Sequence, residues 1–134
     1  MKKIEHIGIA VKDIEASNNT FKALFGESHY KTEAVESEGV ITSFFKCGPN
    51  KIELLQATKP DSPVSKFIKK NGEGIHHIAF AVDDIDAEIK RLIGEGFKMI
   101  HNSPKKGADH KRIAFLHPKS SNGVLVELCQ DIKD

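Results

Sequence analysis

The chain has 134 residues, enough for one ordinary domain with a real core, and its 39% hydrophobic and 29% charged content is typical of a globular protein. A formal net charge of +1 with scattered basic residues excludes the polyanion-binding surface that nucleic acid requires. No apolar run approaches the roughly 20 residues that span a bilayer, and the N-terminus enters a strand-like pattern without a signal-peptide core, so a cytoplasmic chain is expected.

Taken in chain order, residues 4–11 are a short β-branched, apolar run and read as a strand. Asp13 stands where a helix N-cap belongs, with Glu15 near the positive helix end, and Gly26 stops that helix. Strands are expected at about 29–35, 39–47 and 50–57. Asp61-Ser62-Pro63 starts a short helix that Asn71-Gly72 ends. The pattern then begins again: a strand at 75–82, an N-cap at Asp84 with Asp86 behind it, and a helix stopped by Gly94 and Gly96. Ile85, Ile89, Leu92 and Ile93 fall at i, i+4, i+7 and i+8, one apolar helical face. Further strands are expected at about 97–101, 111–116 and 123–130. Cys47 and Cys129 lie far apart in strand-like surroundings and read as buried, reduced thiols.

The second half repeats the first. The 13 residues Ile4–Ala16 align without gaps on Ile75–Ala87 at an offset of 71, with eight identities where chance gives about one. A second match, Lys51-Ile-Glu-Leu-Leu-Gln56 with Leu125-Val-Glu-Leu-Cys-Gln130, has an offset of 74. Two copies make a duplication rather than a solenoid. Each half is βαβββ, so the expected fold is α+β: two modules, about 1–72 and 73–134, forming one curved mixed sheet with helices on the outside, within a single domain.

Side chains alternate across a strand, so His6 shares a face with Gly8 and Ala10, while Ile7, Ile9 and Val11 face a helix-packed core. The repeat preserves this with His77, Ala79 and Ala81. A face bared by Gly and Ala has room for a ligand. Glu53 and Glu127 each sit inside an apolar strand, where a carboxylate must be paired, coordinated or wet. Taken singly, such residues are ordinary strand histidines and surface glutamates. As repeat-related pairs, His6, Glu53, His77 and Glu127 point to one metal site. Imidazole plus carboxylate suits Mn, Fe, Co, Ni or Zn and leaves open coordination positions. His76 has the opposite parity and Glu5 as its counterpart, so it is left out.

The two His-Ile-x-x-Ala-Val strands and the paired strand glutamates resemble the vicinal oxygen chelate superfamily. Lys51–Gln56, Asp61-Ser62-Pro63, Gly74–Ala79 and Phe115-Leu-His-Pro-Lys-Ser120 leading into Gly123–Leu128 are more closely similar to its methylmalonyl-CoA epimerase family. The resemblance implies a glyoxalase-like fold, a homodimer, and a divalent ion, cobalt favoured, held by His6, Glu53, His77 and Glu127. It implies a metal-dependent isomerase that interconverts (2R)- and (2S)-methylmalonyl-CoA by α-proton abstraction through a metal-stabilised enolate. Relatives carry a catalytic carboxylate where this chain has Thr42, which cannot act as a base. Glu127 is then the first candidate for proton transfer and Glu53 the second. The loop 102–112, and His117 and Lys119 in particular, supply donors for the substrate carboxylate or the CoA phosphates, or form an ordinary basic surface.

Three readings compete on the same fold. Glyoxalase I (lactoylglutathione lyase) uses a His-Glu-His-Glu set, against which the His-Pro-Lys-Ser stretch and the Asp-Ser-Pro helix argue. Ring-cleaving dioxygenases use two His and one Glu on iron in longer chains. A non-enzymatic small-molecule binding module lacks the full ligand set that this chain has. Fold alone does not separate them.

Overall fold

Alternating apolar and small residues draw the chain into a strand from its third residue. The computed structural model describes residues 1–133. It runs β1 (Lys3–Ala10), α1 (Ile14–Phe25), β2 (Lys31–Val35), β3 (Val40–Cys47), β4 (Asn50–Ala57) and α2 (Pro63–Asn71), then β5 (Gly74–Ala81), α3 (Ile85–Gly94), β6 (Lys105–Lys106), β7 (Lys111–Phe115) and β8 (Val126–Asp131). It divides into two compact units: His6–His76, and Met1–Glu5 together with the chain from His77 onward. No helix among the described residues is long and apolar enough to cross a membrane.

In the first unit the strands run in the order β2-β3-β4-β1, with β1 parallel to β4 and the other pairs antiparallel. The Asp13 carboxylate accepts the N–H groups of Glu15 and Ala16, and Gly26 closes α1 at φ 77°, a left-handed turn that glycine adopts without strain. α1 covers one face of the sheet, packing Phe21 and Phe25 on Val11, Phe45 and Leu54. Ser62 caps α2 by accepting the Ser65 N–H, and Pro63 takes the first helical position, as the Asp-Ser-Pro stretch led one to expect. α2 covers part of the opposite face: Val64, Phe67 and Ile68 lie against Ala10, Val40 and Leu55.

In the second unit the order is β5-β8-β7-β6, with β5 parallel to β8. Asp84 caps α3 through the Ala87 N–H. Ile85, Ile89 and Leu92 are buried against Val82, Ala114, Leu116 and Leu128. Ile93 does not share that face. It is 47% exposed, because a helix that packs on a sheet buries a stripe narrower than the four-residue pattern suggests.

Three further expectations are corrected. Residues 97–101 form no strand. Only Met99 bridges to Leu116, and regular pairing resumes at β6, past Pro104, which has no N–H to give a ladder. The strand expected from residue 123 begins at Val126, since Asn122 and Gly123 turn at φ 57° and 84° after the short 3-10 helix Pro118–Ser121. Cys47 is exposed at the end of β3, whereas Cys129 is buried.

Ile85 is fully buried, so Ile85→Ala should lower the unfolding free energy by about 2–5 kcal/mol in a chemical denaturation series. On α3, a hydrogen bond from the Arg91 guanidinium holds Glu88 below its ordinary value of 4.5 against a smaller effect of burial, with the N-terminal ammonium 3.6 Å away. A lowered folded-state value gives stability that is present above 4.5 and lost as pH falls through the folded value. Wild type should therefore exceed Glu88→Gln in melting temperature at neutral pH, with the gap closing below about pH 4.5.

Candidate metal centre

In each unit the histidine and the glutamate are placed by one register. β1 and β4 are parallel with Gly8 opposite Glu53, and β5 and β8 are parallel with Ala79 opposite Glu127. The histidine lies two residues before that small residue, so it shares the glutamate's face of the sheet. The residue in register with each carboxylate is thus one of the smallest, Gly8 or Ala79. His6 Nδ1 is 3.1 Å from Glu53 Oε2, and His77 Nε2 is 3.2 Å from Glu127 Oε1. All four residues are 5% exposed. The bareness inferred for this face is therefore local: Ala10, two residues beyond Gly8, lies under α2.

A second repeat-related feature went unread in the sequence. Phe44 is paired with Glu53 and Phe115 with Glu127, at the same offset of 71 that relates the two histidines. Each carboxylate thus has a phenyl ring as its cross-strand neighbour, and the Phe115 ring meets His77 edge-on at 5.6 Å. The strand is the better guide here than local composition. A search for matches at offset 71 beyond the first strand would have found Phe44 and Phe115.

Gln56 and Gln130 were aligned by the repeat without a role, and both are clamps. The Ile14 N–H donates to Gln56 Oε1 at 2.7 Å, and the Ile85 N–H donates to Gln130 Oε1 at 2.8 Å. Each glutamine stands three residues after the site glutamate on the opposite face of its strand. It ties the strand that carries the glutamate to the first turn of the helix that follows the histidine strand.

The remaining sequence candidates fall elsewhere. The His117 ring caps the turn Pro118–Ser121 by accepting the Lys119 N–H at 3.2 Å, and Lys119 is exposed. Much of the 102–112 segment is ordered: β6 pairs with β7, Lys111 contacts Asp131 and lies 4.0 Å from Glu5, and Arg112 bonds Asp86 at 3.2 Å. His76 packs its ring on Phe67. Thr42 is buried, paired between Glu33 and Leu55.

The donor set fits a divalent ion. Nitrogen and oxygen ligands bound at about 2.1 Å in adjacent octahedral positions stand about 3 Å apart. The two His–Glu separations have that length, and a buried imidazole with a buried carboxylate is the donor chemistry of a first-row transition metal.

Residues 5–115 match the family model described as the Glyoxalase/Bleomycin resistance protein/Dioxygenase superfamily. The chain is 42% identical to the mitochondrial methylmalonyl-CoA epimerase of Dictyostelium discoideum, over 94% of this chain and 76% of that one. It is 38% identical to the ethylmalonyl-CoA/methylmalonyl-CoA epimerase of Cereibacter sphaeroides, over 96% and 97%. A solved Streptomyces coelicolor methylmalonyl-CoA epimerase variant, in complex with 2-nitronate-propionyl-CoA, superimposes with a TM-score of 0.94 at 38% identity, covering 98% of this chain and 95% of that one. The fold is accordingly the α+β, glyoxalase-like one, and the superfamily supports a divalent metal. The chain belongs to the methylmalonyl-CoA epimerase family and is an isomerase.

Gln56→Leu and Gln130→Leu should each cost about 1–2 kcal/mol by urea denaturation, because each leaves a helix-start N–H without its acceptor.

Proposed function

We propose that His6, Glu53, His77 and Glu127 together hold one divalent cation, and that the chain interconverts (2R)- and (2S)-methylmalonyl-CoA. The observation that carries this reading is the duplicated, buried His–Glu pair in a chain so similar to epimerases along its whole length. When bound, the ion supplies Lewis-acid stabilisation of the negative charge that develops on the oxygens next to the α-carbon. Cobalt is the favoured occupant, with nickel, zinc and manganese as alternatives.

A proton between a thioester and a carboxylate is weakly acidic, and it needs a base within hydrogen-bond reach. Glu127 takes that role first, with Glu53 as the second candidate. Phe115 and Phe44 pair across the sheet with Glu127 and Glu53 and set an apolar residue beside each carboxylate. His117 and Lys119, at one turn, contribute contacts to the acyl-CoA. The chain acts as one domain of two modules, 1–72 and 73–134, in a cytoplasmic homodimer, with neither nucleic acid nor membrane as a partner.

Chelator-stripped protein should lose about 100-fold or more of its epimerase activity and regain it with Co2+, with one metal per chain by elemental analysis. In deuterated water, Glu127→Gln should nearly abolish label uptake at the α-carbon, and wild-type uptake would remove Glu127 from its role. Activity on the hemithioacetal of methylglyoxal and glutathione, with none on the CoA thioester, would overturn the epimerase reading in favour of glyoxalase I.

A further inference from the structure

A side chain that is to hold a metal binds it best when its donor atom already points the right way, because every torsion left free must be frozen when the ion arrives. An imidazole turns about its Cβ–Cγ bond, and a half-turn puts a carbon where each nitrogen stood. In the second unit His77 Nε2 is the nitrogen beside the carboxylate, 3.2 Å from Glu127 Oε1. In the first unit His6 offers Nδ1 to Glu53, at 3.1 Å. Repeat-related strands therefore do not by themselves dictate which nitrogen faces the carboxylate. Local contacts must select Nε2 at His77.

Phe115 makes such a contact. It pairs with Glu127 across β7 and β8, so its ring stands on the face that carries the His77–Glu127 pair. The centroid of the phenyl ring is 5.6 Å from that of the imidazole, and the two planes are nearly perpendicular, at 86°. Aromatic pairs favour this edge-on arrangement, and turning the imidazole about its Cβ–Cγ bond would lose it. Ala79, the other neighbour of Glu127 in its row, offers only a methyl group. Phe115 is itself held in place, because it packs on the buried residues Ala79, Ile113 and Cys129. Ile113 in turn lies so close to the backbone of Gly107 that a Cβ there would come within 2.7 Å of its Cδ1. A ring backed by filled space has little room to yield. All of these residues belong to the second unit.

Resting on the metal-site reading above, we propose that Phe115 is a positioning residue of the metal centre: its ring holds the His77 imidazole with Nε2 toward Glu127, set to receive the cation. Phe115 acts through His77 and carries no ligand atom of its own. A phenyl ring suits this task because it braces the imidazole without offering a donor or acceptor that would compete for its nitrogens.

The test titrates full-length, chelator-stripped protein with Co2+ in a calorimeter, for wild type, Phe115→Leu and Phe115→Tyr. Leucine keeps an apolar side chain but has no ring, whereas tyrosine keeps the ring. Phe115→Leu should bind Co2+ about tenfold more weakly than wild type, and Phe115→Tyr should stay within about threefold of it. A thermal melt of each metal-free protein shows that the chain is folded at the titration temperature. Should leucine unfold it, Phe115→Met takes its place, since methionine fills irregular space without a ring and is expected to show the same tenfold loss. Affinity within about threefold of wild type in a folded ringless variant, or a Phe115→Tyr as weak as that variant, would overturn the role of Phe115. Wild-type protein that takes up no Co2+ at all would instead bring down the metal-site reading on which it rests.

Discussion

The arrangement depends on the cost of hiding a carboxylate. A glutamate placed inside an apolar strand and excluded from water is tolerated only if something compensates its charge. In each half of this chain an imidazole on the neighbouring parallel strand lies within hydrogen-bond distance of the carboxylate, and a cation held by the pair would supply the charge.

The surroundings of each pair serve the same end. A phenyl ring on one side shields the carboxylate, and a glutamine on the reverse of the strand fixes the helix that follows the histidine strand. Gln56 and Gln130 lock helix to strand from the face opposite the chemistry, so the geometry of the polar face is held by contacts that never touch it. This separates the demands of stability from those of reactivity. The apolar face packs α1 or α3 conventionally, and the polar face is free to carry groups that a core would reject.

The duplication is faithful at the pairs and looser away from them. In the first unit α2 covers the end of the polar face where Ala10 and Leu55 lie, and Lys31 borders the opposite side of the Glu53 row. In the second unit a short 3-10 turn capped by His117 follows β7, and the strand-like segment near residue 99 shrinks to a single bridge.

Much of this was legible in the sequence because it is local or periodic. Asp13 and Asp84 announce their helices, alternation on β1 and β5 separates the histidine face from the helix face, and one offset pairs the halves. The limits were equally physical. Ile93 fits a helical pattern by spacing, yet burial depends on how wide a stripe the sheet covers. Residues 97–101 have strand composition, and Ile100 and Lys98 do bond Phe115 and His117 through the backbone, but the pairing stops at that single bridge, with Pro104 just ahead. Cys47 sits among strand residues but at a hairpin end, where solvent reaches it. By itself, the sequence determined which residues pair as repeats, which face each occupies, and that a histidine and a glutamate recur together. Tertiary structure alone decided that Gly8 and Ala79 stand in register with the glutamates, that phenylalanines pair with them across the sheet, and that glutamines on the reverse face tie strand to helix. These are facts of register between strands distant in sequence, and register is set by packing the whole sheet rather than by any one segment.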